Sequence, residues 1–230
     1  MCGRFTLTSG PELLIQAFRL SFFPEEYEPG YNIAPTQPVL SAVHTSGGRK
    51  AGYIRWGLIP FWVQDPEQWK PLMNARGESL ESKASFKHLL DKRRCLIFAD
   101  GFYEWKREGR RKQPVRIVSA DEKPFAFAGL WDRNQKGNGE IVTCTIITTE
   151  SSGFLREIHD RMPVILQDPE EIERWVNIDR YPFAEVKDLI RPLPEGRLKS
   201  YPVTDRINSP KFNGIECIQP LMKENGVKRT

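Results

Sequence analysis

Short runs of apolar, β-branched and aromatic residues alternate with polar, turn-forming segments through the middle of the chain. This pattern is typical of strands joined by hairpin loops. We predict strands at residues 94–99, 102–106, 115–118, 125–131 and 141–148. Residues 107–112 and 133–140, which mix glycine with charged residues, are predicted hairpin tips. Strands at this spacing indicate an antiparallel sheet that curls toward a barrel.

Helical patterns are confined to a few short segments. We predict helices at residues 10–19, 82–92, 168–176 and 183–190. Pro11 suits the first turn of the first helix, and Ser82 suits a cap at the start of the second. In the second segment Phe86, Leu89 and Leu90 share one face, which predicts that this face is buried.

Many strands and few helices favour one α+β domain. We expect a curled, barrel-like antiparallel β core with the helices packed at its periphery. The domain is placed at residues 1–222, and residues 223–230 are expected to form a loose tail. A chain of 230 residues is long enough to bury a sizeable core without disulfide bonds.

The cysteine spacing, the hydropathy and the net charge exclude several classes of protein. The four cysteines are far apart and form no C-x-x-C pair, which argues against a disulfide scaffold and a zinc site. We therefore expect no metal and no cofactor. No apolar run reaches the roughly 18 residues of a membrane span, and the N-terminus lacks the apolar stretch of a signal peptide. We expect a cytoplasmic monomer with reduced thiols, whose net charge of +4 permits a polyanionic partner.

Cys2 is a candidate nucleophile. It becomes the first residue once Met1 is removed, and it then carries a free α-amine and a thiol on adjacent carbons. An α-amine has a reference pKa of about 7.7–8.0, against about 10.4 for lysine, so far more of it is neutral at pH 7. Its attack on an aldehyde gives an imine, and the thiol then closes a five-membered thiazolidine ring. The alternative is that Cys2 is only a small residue beside the start site.

Three polar residues are candidates for proton transfer or orientation beside such a nucleophile. His159, between a loop and an apolar strand, can exchange protons near neutral pH. Glu104 is flanked by aromatic residues, and burial there would raise its pKa and suit it as a general acid. Asn74 can donate and accept hydrogen bonds at once. The structural alternatives are a histidine at a strand start, a cross-strand ion pair and a turn cap.

Nine short motifs follow one another along nearly the whole chain. They are MCGR at 1–4, YNIAPTQ at 31–37, RWGLIPFW at 55–62, NARGES at 74–79, RC at 94–95, ADGFYEW at 99–105, FAGLW at 127–131, IHDRMPV at 158–164 and CIQP at 217–220. Each motif is weak alone, but their order is highly specific. With these motifs in this order, the chain resembles the SOS response-associated peptidase (SRAP) family of abasic-site processing proteins.

The resemblance implies an enzyme of the DNA damage response that links Cys2 covalently to an abasic deoxyribose in single-stranded DNA. It also implies a single α+β domain and lyase-like, Schiff-base and thiazolidine chemistry. Glu104 would help to open the sugar and assist reversal, His159 would protonate the departing ring oxygen, and Asn74 would orient the reacting groups. The sequence leaves open whether the chain removes Met1 itself, whether the adduct turns over, and whether the source is bacterial or phage.

The resemblance also assigns contacts with DNA. It implies that Arg4, Arg76 and Arg161 bind phosphates and that Pro35 and Trp62 abut or splay bases. This agrees with single-strand binding, which pairs a basic groove with aromatic platforms. The alternative for Trp62 is packing in the core.

Two departures from the family pattern concern these DNA contacts. Ala84 stands where some relatives have an arginine, with Lys83 and Lys87 nearby. The segment 63–70 is longer than in some relatives. Trp69 is therefore a second candidate for the base wedge, the side chain that abuts or splays bases.

Two other functions are compatible with parts of the chain. N-terminal-nucleophile amidohydrolases of the glutamine amidotransferase type also begin with M-C-G, and N-G-E occurs here at 138–140. That tripeptide, however, falls in a predicted hairpin tip, and no H-R-G-P segment is present to hold a substrate carboxylate. The second alternative is a DNA-binding module without chemistry, which would keep its affinity for abasic DNA after Cys2→Ala.

Overall fold

The structure, a computed structural model, describes residues 2–137 and 139–221. In these residues the strands β1 to β14 are, in chain order, Phe5–Leu7, Leu20–Phe22, Gly30–Ile33, Pro38–Thr45, Gly48–Trp56, Asn74–Arg76, Arg94–Ala99, Gly101–Glu108, Arg111–Ser119, Phe125–Gly137, Gly139–Glu150, Arg161–Pro163, Ile165–Leu166 and Leu198–Pro202. The helices are α1 at Pro11–Phe18 and α2 at Pro169–Val176. The expected loose tail, residues 223–230, lies outside the described residues.

The strands form two sheets. The smaller has the order β14-β9-β8-β1-β3, and the larger has the order β12-β11-β10-β7-β4-β5-β2, with β13 on β10 and β6 on β11. β11 also pairs with β5, but only at Thr143–Arg55 and Cys144–Trp56, so the larger sheet forms a ring that is not fully closed. The predicted α+β domain with a curled β core is confirmed. The sheets are not wholly antiparallel, because β6 and β5 run parallel to β11 and β2 runs parallel to β5.

The larger sheet lies in the middle of the molecule, with apolar side chains on both faces. One face packs against α1 and α2, where the rings of Phe18 and Phe98 stack with centroids 4.3 Å apart. The other face meets the smaller sheet in a second core, where Phe5 contacts Trp56 with centroids 5.2 Å apart. β7 is therefore buried along its whole length, as expected for a strand covered on both faces. Cys2 belongs to this second core.

The predicted strands are present, and the hairpin strands are longer than predicted. β8 and β9 extend so far that only Gly109 and Arg110 lie between them. β10 reaches Gly137 and β11 begins at Gly139, within the segment predicted as a tip. Polar residues continue these strands because they pair across them, as in the 3.4 Å ion pair of Arg133 and Glu140.

The predicted helices 10–19 and 168–176 are confirmed as α1 and α2. The prediction of a helix at 82–92 is wrong. That segment is a series of turns. In a helix the Ala84 carbonyl would accept from the His88 N–H, but here it faces the His88 ring nitrogen Nδ1 at 3.1 Å. The predicted apolar face is nevertheless buried, at Phe86, Leu89 and Leu90.

The predicted α-helix at 183–190 is also wrong. The segment contains two short 3-10 helices, Phe183–Glu185 and Lys187–Leu189. Its buried residues recur every three positions, at Phe183, Val186 and Leu189. That is the period of a 3-10 helix. No helix within the described ranges is long and apolar enough to cross a membrane.

Candidate active site

The N-terminal segment enters the core because β1 lies between β8 and β3. The Tyr103 N–H of β8 donates to the Arg4 carbonyl at 2.9 Å. Continued along the antiparallel ladder, this register brings Glu104 level with the residues just before Arg4. Cys2 is fully buried, and Glu104 is only 5 % exposed. The strand pairing therefore brings two of the predicted catalytic residues together in the interior.

Asn74 reaches Cys2 from the larger sheet. It begins β6, which runs parallel to β11 with Asn74 beside Ile146. The Asn74 Nδ2 donates to the Cys2 carbonyl at 3.0 Å, while its Oδ1 is buried and has no hydrogen-bond partner among the described residues. The side chain thus orients the Cys2 backbone and can accept a hydrogen bond from an incoming group.

Burial governs the charge states of Cys2 and Glu104. Burial raises the pKa of the Cys2 thiol far above its ordinary value, and the negative charge of Glu104 raises it further. Burial likewise raises the pKa of Glu104, although positive charge at His159 opposes this rise. The thiol is therefore protonated at neutral pH, and Glu104 keeps its proton to a higher pH than an exposed glutamate. The expected burial of Glu104 is confirmed, and burial shifts its pKa in the expected direction.

His159 lies in the loop that precedes β12, two residues before the strand begins. Its Nδ1 lies 3.0 Å from the backbone nitrogen of Arg161 and 2.7 Å from Asp160 Oδ1. One nitrogen cannot accept from an N–H and donate to a carboxylate at once. The neutral ring therefore suits the Arg161 contact, and the protonated ring suits Asp160. The His159 side chain is 35 % exposed, so it can exchange protons with solvent or ligand.

The Arg4 guanidinium is held by the protein itself. Its Nη1 donates to Asn32 Oδ1 at 2.8 Å and to the Ile207 carbonyl at 2.6 Å, and its Nη2 donates to the Asn208 carbonyl at 3.2 Å. The buried Asn32 also donates to the Phe212 carbonyl at 2.7 Å. These bonds tie β1 to β3 and to the C-terminal segment, which places Arg4 in a structural network next to Cys2.

Arg76 and Arg161 line one open cavity of about 480 Å³, which we call the arginine cavity. Arg76 is exposed. Arg161 is only 11 % exposed, and its Nη1 and Nη2 lie 2.8 and 3.0 Å from the two carboxylate oxygens of Glu78. Two of the three predicted phosphate-binding arginines therefore share a cavity, and one of these two already has an anionic partner.

The two candidate wedge residues touch each other. Trp62 and Trp69, on the connection between β5 and β6, meet edge to face with ring centroids 5.3 Å apart. Trp62 is 38 % exposed, which contradicts the alternative of core packing, whereas Trp69 is half-buried beneath it. The Phe61 N–H donates to Asp132 at 2.9 Å and fixes the start of this connection. Pro35 is half-buried in the turn between β3 and β4.

A buried aspartate that anchors β1 was not among the residues predicted from the sequence. Asp100 accepts hydrogen bonds from the Thr6 hydroxyl at 2.6 Å, the Ser9 N–H at 2.9 Å and Arg116 Nη2 at 3.0 Å. These contacts fix the end of β1 opposite Cys2. The only signal for this role was the carboxylate two residues before the predicted strand in ADGFYEW. Glu78 of NARGES, the partner of Arg161, was missed in the same way.

Comparison with known proteins identifies the family of this chain. Two proteins named abasic site processing protein YoqW, from Bacillus subtilis (strain 168) and Bacillus phage SPbeta, are each 42 % identical over 223 residues, covering 95 % of this chain and 99 % of their own. A crystal structure from Bacteroides thetaiotaomicron, 26 % identical, matches with a TM-score of 0.80 over 96 % of this chain and 100 % of its own. The family profile described as SOS response associated peptidase (SRAP) matches residues 1–210. The chain therefore belongs to the SRAP family, as the order of its motifs predicted.

Proposed function

We propose that this protein recognises abasic sites in single-stranded DNA and, once Met1 is removed, links itself to them covalently through Cys2. The observation that carries the proposal is the convergence on Cys2: it is buried, Asn74 holds its carbonyl at 3.0 Å, and the charge of Glu104 acts on its thiol. The names of the relatives, abasic site processing proteins, indicate the substrate. Such an activity belongs to the DNA damage response.

The first step opens the sugar. An abasic deoxyribose is mostly a closed hemiacetal, and ring opening moves a proton from the anomeric hydroxyl to the ring oxygen. His159, which is partly exposed and has a protonated state held by Asp160, supplies the proton to the ring oxygen. Glu104 takes the proton of the hydroxyl, and its raised pKa suits it to exchange protons in both directions.

The second step forms the bond. The Cys2 amine adds to the aldehyde carbon, and loss of one water gives an imine. The thiol sulfur then adds to the same carbon, and its proton passes to the imine nitrogen to close the thiazolidine. The proximity of Glu104 to the thiol suits this step, because the carboxylate can carry the proton from sulfur to nitrogen. Burial of Cys2 limits the access of water to the imine.

Intact-mass spectrometry tests the proposal. The protein is incubated with a single-stranded oligonucleotide that carries one abasic site, and with an undamaged oligonucleotide of the same length as the control. We expect a species that survives heat and SDS, with the mass of the protein without Met1 plus the oligonucleotide minus one water. The absence of any adduct from protein shown to have lost Met1 would refute the proposal.

The geometry disfavours the glutamine amidotransferase alternative. Asn138 of the N-G-E tripeptide lies outside the described residues, and Glu140 is exposed near the start of β11. The site is flanked by a later part of β11, where Ile146 pairs with Asn74. At about 3.3 Å per residue, the six-residue step from Glu140 to Ile146 spans roughly 20 Å. Measured glutamine hydrolysis should therefore be absent.

A further inference from the structure

The guanidinium of Arg161 is occupied in the way a phosphate would occupy it. Glu78 places its two carboxylate oxygens 2.8 and 3.0 Å from Nη1 and Nη2. This two-point contact is the geometry in which arginine binds carboxylate and phosphate alike. The hydrogen bond from Arg161 holds the pKa of Glu78 below its ordinary value, so Glu78 carries a negative charge in the DNA-free protein at neutral pH. A phosphate approaching Arg161 meets an anion in the same place.

Arg161 does not depend on Glu78 for its position. Its Nη2 also donates to the Thr148 carbonyl at 2.6 Å, and its backbone pairs with Glu150 in the ladder of β11 and β12. The Arg161 side chain is 11 % exposed, whereas that of Glu78 is 52 % exposed. Glu78 is therefore the partner that can turn into solvent, while Arg161 stays in place.

We propose that Glu78 is a specificity-determining residue, which occupies Arg161 as an internal substitute for phosphate and must turn away when a strand binds. This inference rests on the proposed function. An undamaged strand has only its phosphate and base contacts to offset the loss of the ion pair. An abasic strand also gains the contacts and the covalent bond at Cys2. Glu78 thereby weakens the binding of undamaged single strands and leaves the protein available for abasic sites.

Equilibrium binding of an undamaged single-stranded oligonucleotide, measured by fluorescence anisotropy, tests this role without any covalent step. We expect Glu78→Gln to bind about two- to five-fold more tightly than wild type, the range expected from a partly exposed ion pair. In an Arg161→Gln background the same substitution should give no gain, because it acts through Arg161. The matched control is Glu81→Gln, which removes the same charge three residues away, where Glu81 faces Lys187 at 3.6 Å.

Competition gives a second measurement. An undamaged strand added to the abasic reaction should slow adduct formation by Glu78→Gln at a several-fold lower concentration than for wild type. The inference is overturned if Glu78→Gln binds the undamaged strand no more tightly than wild type, or if Glu81→Gln or the Arg161→Gln background shows an equal gain. Failure of the proposed function is distinguishable, because wild-type protein would then form no adduct with abasic DNA at all.

Discussion

The proposed reaction centre around Cys2 and the arginine cavity are built in opposite ways. Cys2 and Glu104 are buried, and Asn74 already contacts the Cys2 backbone. In the cavity Arg76 is exposed and Arg161 is bonded to Glu78, so a phosphate could reach Arg161 in the proposed complex only after Glu78 moves. Under the proposed function, the groups that carry the chemistry are fixed in advance and the groups that contact DNA are adjustable. Substitutions in the first region should change rates, and substitutions in the second should change affinity.

The largest effect is expected at Cys2. Cys2→Ser keeps the amine but cannot form a thiazolidine, so the link to abasic DNA that survives heat and SDS should be lost. A weaker imine, trapped by borohydride, should remain. A full-strength stable adduct from Cys2→Ser would contradict the mechanism. The complementary control places one residue ahead of Cys2, and mass spectrometry verifies that this residue is retained. The extended protein should form neither species, because the nitrogen of Cys2 is then part of a peptide bond.

Glu104 and His159 should change rates by the next largest factor. General acid–base groups contribute about a hundred- to ten-thousand-fold, so Glu104→Gln and His159→Ala should form the adduct slowly. Because a catalyst lowers the same barrier in both directions, release of the adduct should slow as well. Time courses of formation and release are measured beside the melting temperature. Normal kinetics, or a defect explained by unfolding, would remove these residues from the mechanism.

The reaction centre was more accessible to sequence analysis than the cavity. Cys2 and Glu104 stand in motifs whose residue types suggest their chemistry, and the aromatic neighbours of Glu104 correctly predicted its burial. The partner of Arg161 is Glu78, which is 83 residues away in the chain. That contact depends on β6 running parallel to β11, which no local pattern indicates.

Local patterns failed where tertiary contacts decide the backbone. The segment 82–92 has a helical apolar face, and that face is buried, yet the His88 ring faces the Ala84 carbonyl and the segment forms turns. Asp100 likewise anchors β1 through partners 91 to 94 residues away, including Thr6 and Ser9. A burial pattern can be predicted from sequence period, whereas a side-chain hydrogen bond across the fold cannot.

Trp62 and Trp69 provide a test within the region proposed to face DNA. Base stacking on an aromatic side chain is worth about 1–3 kcal/mol, so Trp62→Ala should weaken single-strand binding by that amount. Trp69 is half-buried against Trp62, so Trp69→Ala should lower the melting temperature more and affinity less. Anisotropy and thermal melts on both variants check this. A larger loss of affinity from Trp69→Ala would make Trp69 the wedge.

Arg76 should affect affinity through salt dependence. Loss of one phosphate contact to a single strand lowers the slope of log affinity against log salt by about 0.7. Arg76→Ala should show this change, and its adduct formation should recover toward wild type as the DNA concentration rises. Lys50→Ala, an exposed lysine on β5, is the charge-matched control. A defect that persists undiminished at saturating DNA would move Arg76 from the cavity to the reaction centre.

The smallest effect separates the two regions by stability rather than activity. Burial raises the pKa of Glu104, so the folded protein binds a proton that the unfolded chain has released. Stability contributed by this group is present below its ordinary pKa of 4.5 and is lost as pH rises through the raised value. Glu104→Gln cannot ionise, so its melting temperature relative to wild type should increase from acid to mildly alkaline pH.

Arg76→Ala, which changes an exposed side chain, should show no such trend. Both variants and the wild type are compared in the same state of Met1 processing, verified by mass. A difference for Glu104→Gln that does not change with pH would mean that the carboxyl is ionised at no cost, and the proton exchange proposed for it would lose its physical basis.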